Sequence, residues 1–116
     1  MGTTKTENFT ESQVRIAQLA KAIGHPARIA ILQYLIGCNS CVCGDIVDAL
    51  PLAQATVSQH LKELKRAGLI KGRISGVNTC YCINENGWKE AQALFSELFS
   101  TYKPITECCE PGSDCC

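Results

Sequence analysis

Apolar and polar positions along this chain follow two different periods, and the change of period marks out its plan. Up to about residue 69 the apolar residues return every three or four positions, which is helical spacing. Thr10, with Gln13 three residues on, makes a capping-box start for a first helix reaching about Ile23. Val14, Ala17 and Ala20 are among its apolar positions, and Gly24 stops it. His25 caps the next helix and Pro26 takes its first position. Ile29, Leu32, Leu35 and Ile36 give this second helix a broad apolar face, so it is expected to be the central core helix, closed by Gly37. Cys38–Cys43 reads as a short extended link. Gly44–Leu50 reads as a short helix, ended by Pro51.

The stretch Leu50–Ile70, LPLAQATVSQHLKELKRAGLI, carries the next helix. Val57, Leu61 and Leu64 form one narrow apolar stripe. Ala55, Ser58, Gln59, Lys62 and Arg66 fall on the opposite side, a small, polar and basic face of the kind that lies in a major groove. Gly68 is placed to take the left-handed conformation after the last turn, with Leu69 folding back. A short helix, a tight turn and a longer helix with a basic outer face make a helix-turn-helix. An ordinary amphipathic surface helix shares the spacing, and charge separates the two readings. From Ser58 to Arg73 there are Lys62, Lys65, Arg66, Lys71 and Arg73 against the single acid Glu63, whereas the whole chain balances 11 bases with 11 acids. The basic charge is concentrated where a phosphate backbone would run.

Beyond Leu69 the period shortens to two. Ile70, Gly72 and Ile74 alternate with Lys71, Arg73 and Ser75. Gly76, Val77 and Asn78 read as the turn, and Thr79–Ile83 as a second strand. A hairpin directly after a recognition helix is a wing, and its Arg73 and Asn78 are placed to meet the minor groove or the backbone. Asn84 caps a last helix that reaches about Tyr102. Leu94, Phe95, Leu98, Phe99 and Tyr102 line one side of it, more large side chains than a small core absorbs, so a partner subunit is expected there. Pro104 ends this helix. The expected fold is mostly α with a small β-hairpin, a homodimeric winged helix-turn-helix over residues 1–104, followed by a flexible, cysteine-rich tail over 105–116.

Composition narrows the function. With 116 residues and 46% hydrophobic content the chain forms one soluble domain. Its N-terminus shows no signal-peptide apolar run, and Ile29–Cys38 is too short to span a bilayer. The expectation is a cytoplasmic protein with no membrane contact. Phosphate loop, nucleophile elbow and acid pair are all missing, so an enzyme is not expected. His60, on the flank of the apolar stripe, reads as a packed, hydrogen-bonded histidine. The nine cysteines fall in clusters: Cys38, Cys41 and Cys43; Cys80 and Cys82; and Cys108, Cys109, Cys115 and Cys116. In a reducing compartment such density points to soft-metal ligation or thiol redox chemistry.

The residues HPARIAILQYL (25–35), CVCGDI (41–46) and ATVSQHLKELKRAGLI (55–70), with the order of elements around them, closely resemble the ArsR/SmtB family of bacterial metal-responsive repressors. The resemblance covers most of residues 14–99. It implies a homodimer that leaves operator DNA when it binds an inducer, with Gln54, Thr56, Ser58, Gln59 and Lys62 at the double-stranded DNA. Arg66 and Arg73 join them from the charge pattern. Arsenic-sensing members carry Cys-x-Cys-x-x-Cys at the helix before the recognition helix. Here Cys41 and Cys43 match its start, but Gly44 shifts the register and Val47 stands where the third cysteine belongs (without the shift, Ile46). The zinc-sensing Asp/His set is also absent, because the last helix has no histidine.

Other members place thiol ligands near the C-terminus, and the tail here is similar. Trivalent arsenic and antimony are soft, thiophilic centres. Cys108 and Cys109, with Cys115 or Cys116 as the third thiolate, would satisfy a three-coordinate centre, or another thiophilic metal ion. The plainer alternative is a tail of exposed thiols without a ligand. A second cluster arises if the link pairs with the wing. Cys41 and Cys43 would then share a face with Cys80 and Cys82, as a four-sulfur set or as packed, inert thiols. In that cluster Cys43, just before a helix N-terminus, is expected to be the more reactive thiol. The expected function is a repressor released by trivalent arsenic or antimony. The alternative is a thiol-redox-sensing regulator using the same cysteines. A metal-sequestering protein without a DNA role is opposed by the basic recognition face.

Overall fold

Among the described residues, helices and a small sheet follow one another in the order α1 (Glu11–Ile23), α2 (Pro26–Cys38), β1 (Val42–Cys43), α3 (Gln54–Arg66), β2 (Ile70–Ser75), β3 (Asn78–Ile83) and α4 (Glu85–Ser100). The computed structural model describes residues 8–43, 46, 50–76 and 78–104. Of the short helix expected at Gly44–Leu50, Ile46 is helical and buried, and most of the remainder lies outside the described residues. The 105–116 tail lies outside them too.

Local chemistry sets the helix ends. The Thr10 hydroxyl accepts the Gln13 N–H at 3.1 Å while the Gln13 side chain accepts the Thr10 N–H at 2.9 Å, a complete capping box. His25 Nδ1 accepts the Ala27 N–H at 3.0 Å and so caps α2, with Pro26 at its first position. Gly37 does not close α2. The helix runs on to Cys38, and Asn39 takes the left-handed conformation at φ 51°, which Asn tolerates better than most residues. At the end of α3 the Gly68 N–H reaches the Lys65 carbonyl at 3.0 Å and the Leu69 N–H reaches the Leu64 carbonyl at 3.1 Å. With Gly68 at φ 84° this is a Schellman closure. Asn84 precedes α4, but its side chain makes no capping bond; its carbonyl accepts the Trp88 N–H at 2.8 Å.

The core gathers the heaviest side chains from every layer. Leu19 of α1, Ile31 and Leu35 of α2, Val57 and Leu64 of α3, and Leu69 and Ile70 at the start of the wing are fully buried. In α1 the buried positions are Leu19 and Ala22, whereas Ala17 and Ala20 are exposed. Of the two buried residues, Leu19 gains the more from leaving water. In α2 the buried residues are Ala27, Ile31, Leu32 and Leu35, and Ile29 and Ile36 are left exposed.

The sheet has three strands, ordered β1-β3-β2, all antiparallel. The hairpin turn is tighter than the expected three residues. Asn78 already pairs with Ser75 across a two-residue loop whose Gly76 sits at φ 63°, a positive-φ geometry of the kind that matches strand twist. The third strand, β1, is the link after α2, with Val42 opposite Tyr81 and Cys43 opposite Cys80.

Candidate functional site

Two sites can be built from these elements: an outward face on α3, and a thiol-lined cleft beside the sheet. The first follows from how α3 is held. Val57, His60, Leu61 and Leu64 are buried along one side, so the helix cannot roll. Its opposite side is fixed outward, and Gln54, Ala55, Thr56, Ser58, Gln59, Lys62 and Arg66 are all exposed.

His60 is the one buried polar residue of the core among the described residues. Its Nδ1 accepts from Arg28 Nε at 3.0 Å, and its ring lies tilted against that of His25, with centroids 4.5 Å apart. Arg28 also donates to the Ala22 carbonyl at 3.1 Å, so one guanidinium ties the end of α1 to α3. Burial first, then His25 and Arg28 nearby, push the His60 pKa below the usual histidine value. A second arginine does similar work on the other flank. Arg15 donates to Glu90 of α4 at 2.8 Å and to the Ala67 carbonyl after α3 at 2.9 Å. Both arginine bridges escaped the sequence, because they join residues far apart that share no periodicity.

The exposed residues differ in their surroundings. Arg66, at the C-terminal end of α3, donates to Glu63 at 2.9 Å and lines a cleft against α1. Gln59 also donates to Glu63, at 3.4 Å. Arg73 lies on β2, exposed, beside the thiol cleft. The side chain of Asn78 lies outside the described ones.

The thiol cleft forms on one face of the sheet. The register sets Cys82 opposite Lys71 and Cys80 opposite Arg73 on β2. Cys43 stands opposite Cys80 on β1, and continuing that register by one residue brings Cys41 beside Cys82. Cys41 and Cys82 line the same cleft. Burial first, then the Cys41 thiol, push the Cys82 pKa up, while Lys71 and Arg73 oppose the rise. Cys80 is almost fully buried and is held in a disulfide. The pair Cys41 and Cys82 opens on a cleft of about 590 Å³ whose other walls include Leu35, Ile83, Lys71 and Arg73. Among the described residues no three His, Cys, Asp or Glu side chains come together as a metal site. Cys108, Cys109, Cys115 and Cys116 lie outside the described residues, as does the side chain of Cys43.

A buried-stripe helix presented outward, followed at once by a two-stranded wing, defines a winged helix-turn-helix DNA-binding protein. The family model described as "Bacterial regulatory protein, arsR family" matches residues 25–71. A helix-turn-helix transcriptional regulator of Methanocaldococcus jannaschii is 40% identical over 76% of this chain and 99% of its own length. The helix-turn-helix transcriptional repressor SmtB of Mycobacterium tuberculosis is 45% identical over 55% of this chain and 47% of its own. Among solved structures, a homodimeric winged helix-turn-helix DNA-binding domain from Mycobacterium bovis superposes with a TM-score of 0.62 at 21% identity. That likeness covers 89% of this chain and 94% of that one. The chain belongs to the ArsR/SmtB family of helix-turn-helix transcriptional regulators. Like its relatives it is a DNA-binding regulator, not an enzyme. No helix among the described residues is long and apolar enough to cross a membrane.

Proposed function

We infer that this regulator is a cytoplasmic repressor that binds operator DNA as a homodimer and is released when trivalent arsenic or antimony is captured by cysteine thiolates. The observation that carries the DNA half is the fixed outward face of α3. Ser58, Gln59 and Thr56 there supply donors and acceptors for base edges, and Gln54 lies at the helix start. Lys62, Arg66 and Arg73 supply phosphate contacts. The apolar side of α4 supports the dimer, and half-sites about 34–36 Å apart would then meet two copies of α3. Release rests on the tail, where Cys108 and Cys109 with Cys115 or Cys116 give three soft donors directly after the helix assigned to the dimer contact. A roughly 100-fold loss of DNA affinity asks for about 2.7 kcal/mol of coupling, within the usual allosteric range.

The thiol-redox alternative is favoured by one observation, the disulfide that already holds Cys80. One experiment addresses both. A duplex selected from a random library by the wild-type chain is titrated with arsenite, and separately with a mild oxidant, for the full chain and for a truncation ending at Thr106. Loss of arsenite response in the truncation, with DNA binding retained, is the expected result. A truncation released at the same arsenite concentration overturns the tail as sensor. Release by the oxidant alone favours the redox reading.

A further inference from the structure

We propose that the cleft between α1 and α3 binds a compact polyphosphate anion, free or carried on a nucleotide, at a site that shares only Arg66 with the DNA-facing side of α3. The proposal goes beyond the repressor reading and does not rest on it.

Three helices each bring one guanidinium to this cleft. Arg15 comes from α1, Arg28 from the first turn of α2 and Arg66 from the last turn of α3, with Gln18 and Lys21 of α1 beside them. A spacing of three keeps Arg15, Gln18 and Lys21 along one side of α1. The acids are fewer. Glu63 lies in the wall and holds Arg66 at 2.9 Å, and Glu90 of α4 holds Arg15 at 2.8 Å. Four cations therefore stand against two carboxylates, in a chain that balances 11 bases with 11 acids.

Arg28 is the member that calls for a ligand. It is half-buried, and its acceptors are the His60 ring and the Lys21 and Ala22 carbonyls. Among the described residues no carboxylate pairs with it. A charge taken partly out of water and held by neutral acceptors gains from an anion.

The forks select the class of anion. A guanidinium carries five N–H donors in a planar fork that matches phosphate oxygens, and the bonds named occupy only part of each fork. Those bonds also fix Arg15 and Arg28 in place, so little side-chain freedom is lost on binding. A lone carboxylate fills one fork. Forks from three helices and a lysine ammonium ask for several charged oxygens along one ligand, which a chain of phosphates supplies. The cleft holds about 370 Å³, at the small end of the roughly 300–1,000 Å³ range of small-ligand sites. Duplex DNA suits it less well. A recognition helix meets base edges through its N-terminal residues, whereas this cleft lies at the other end of α3 with α1 as its second wall.

The test titrates the full-length chain with tripolyphosphate by calorimetry, in metal-free buffer at fixed ionic strength. One anion per chain is expected. In nitrogen-15 spectra the Nε–H signals of Arg15 and Arg28 should shift, while the backbone signals of Gln54–Gln59 stay in place. Lys21→Gln, at an exposed position, should weaken binding about fivefold, the loss of one solvated charge contact. Adding Arg66→Gln should bring the loss to about 20-fold, because a charge-assisted fork goes with it. Lys62→Gln, on the same helix but outside the cleft, should change affinity less than about twofold. Single orthophosphate should bind at least about tenfold more weakly than tripolyphosphate. ATP binding more tightly than tripolyphosphate assigns the site to nucleotides, and equal or weaker binding assigns it to the free anion; both support the site. No binding, unchanged affinity in the double variant, an equal loss in Lys62→Gln, orthophosphate binding as tightly, or shifts confined to Gln54–Gln59 each overturns the proposal. So does a selected DNA duplex that shifts the Arg15 and Arg28 signals as tripolyphosphate does, since the cleft would then belong to the DNA interface.

Discussion

Helices α3 and α4 are similar in length and opposite in what they leave uncovered. Helix α3 buries four residues in line within its own chain and turns a polar face to solvent. Helix α4 buries only Ala91, half-covers Leu94 and Phe95, and leaves Leu98 and Phe99 exposed, Phe99 at 72%, with Tyr102 exposed just beyond its end. Phe95 packs on the edge of the core and stacks on Phe99 at 6.4 Å, and Phe99 itself stands exposed. One helix is finished by its own fold and suits a polar, charged partner. The other is unfinished, and suits a second apolar surface.

The largest expected effect comes from breaking the unfinished side. Leu98→Glu with Phe99→Glu should leave monomers by sedimentation velocity and weaken operator binding by about 100-fold or more, because two linked half-site contacts become one. A double variant that stays dimeric would show that α4 is not the interface.

Next in size is damage to the finished side. Leu64 is fully buried beneath α3, so Leu64→Ala should cost about 2–5 kcal/mol in urea unfolding, through lost transfer energy and the cavity left behind. Gly87→Ala should cost about 1–3 kcal/mol by crowding. A Cβ at Gly87 would overlap the Gly68 carbonyl, where the first turn of α4 lies on the closure of α3.

Smaller changes separate charge from sequence reading. Removing Lys62 and Arg66 together should flatten the slope of log affinity against log salt by up to about 1.8 if both meet phosphates. Because Arg66 already holds Glu63, Lys62→Ala alone should carry the larger share. Changing Ser58 or Gln59 should alter the preferred sequence in a selection experiment instead. A double variant with unchanged affinity and salt slope would remove α3 from the DNA.

The smallest effect is a pH dependence. His60 keeps a lower pKa when folded than when unfolded, where it titrates near 6.5. Above that pH its contribution is constant. As pH falls below about 6.5 the unfolded chain takes up the proton first, so stability declines until the folded pKa is passed. Urea midpoints measured down this range should fall in wild type, and His60→Gln should flatten the decline.

Much of this plan was readable from the chain. The capping box at Thr10 and the Gly68 closure depend on residues within a few positions, and both stand as expected. So do His25 as a cap and His60 as a packed histidine. The misreadings share a cause. Asn39 rather than Gly37 ends α2, and Ile29 and Ile36, read as part of its apolar core face, stand exposed, because neighbours in space choose among locally acceptable options. The pairing of β1 with β3 was open in the sequence, since a two-residue strand has no period of its own. With it the partnership of Cys41 and Cys82 stayed undecided until the register was seen.

That short strand also shapes how the molecule opens. Pairing residues 42–43 with 80–81 closes a chain loop that encloses all of α3. Such a contact pays its closure entropy before it returns any stability, whereas β2 and β3 are joined by a two-residue turn. The sheet therefore has a slow seam and a fast one. Native-state hydrogen exchange should see the β1 seam part well below the free energy of global unfolding while the wing hairpin stays paired.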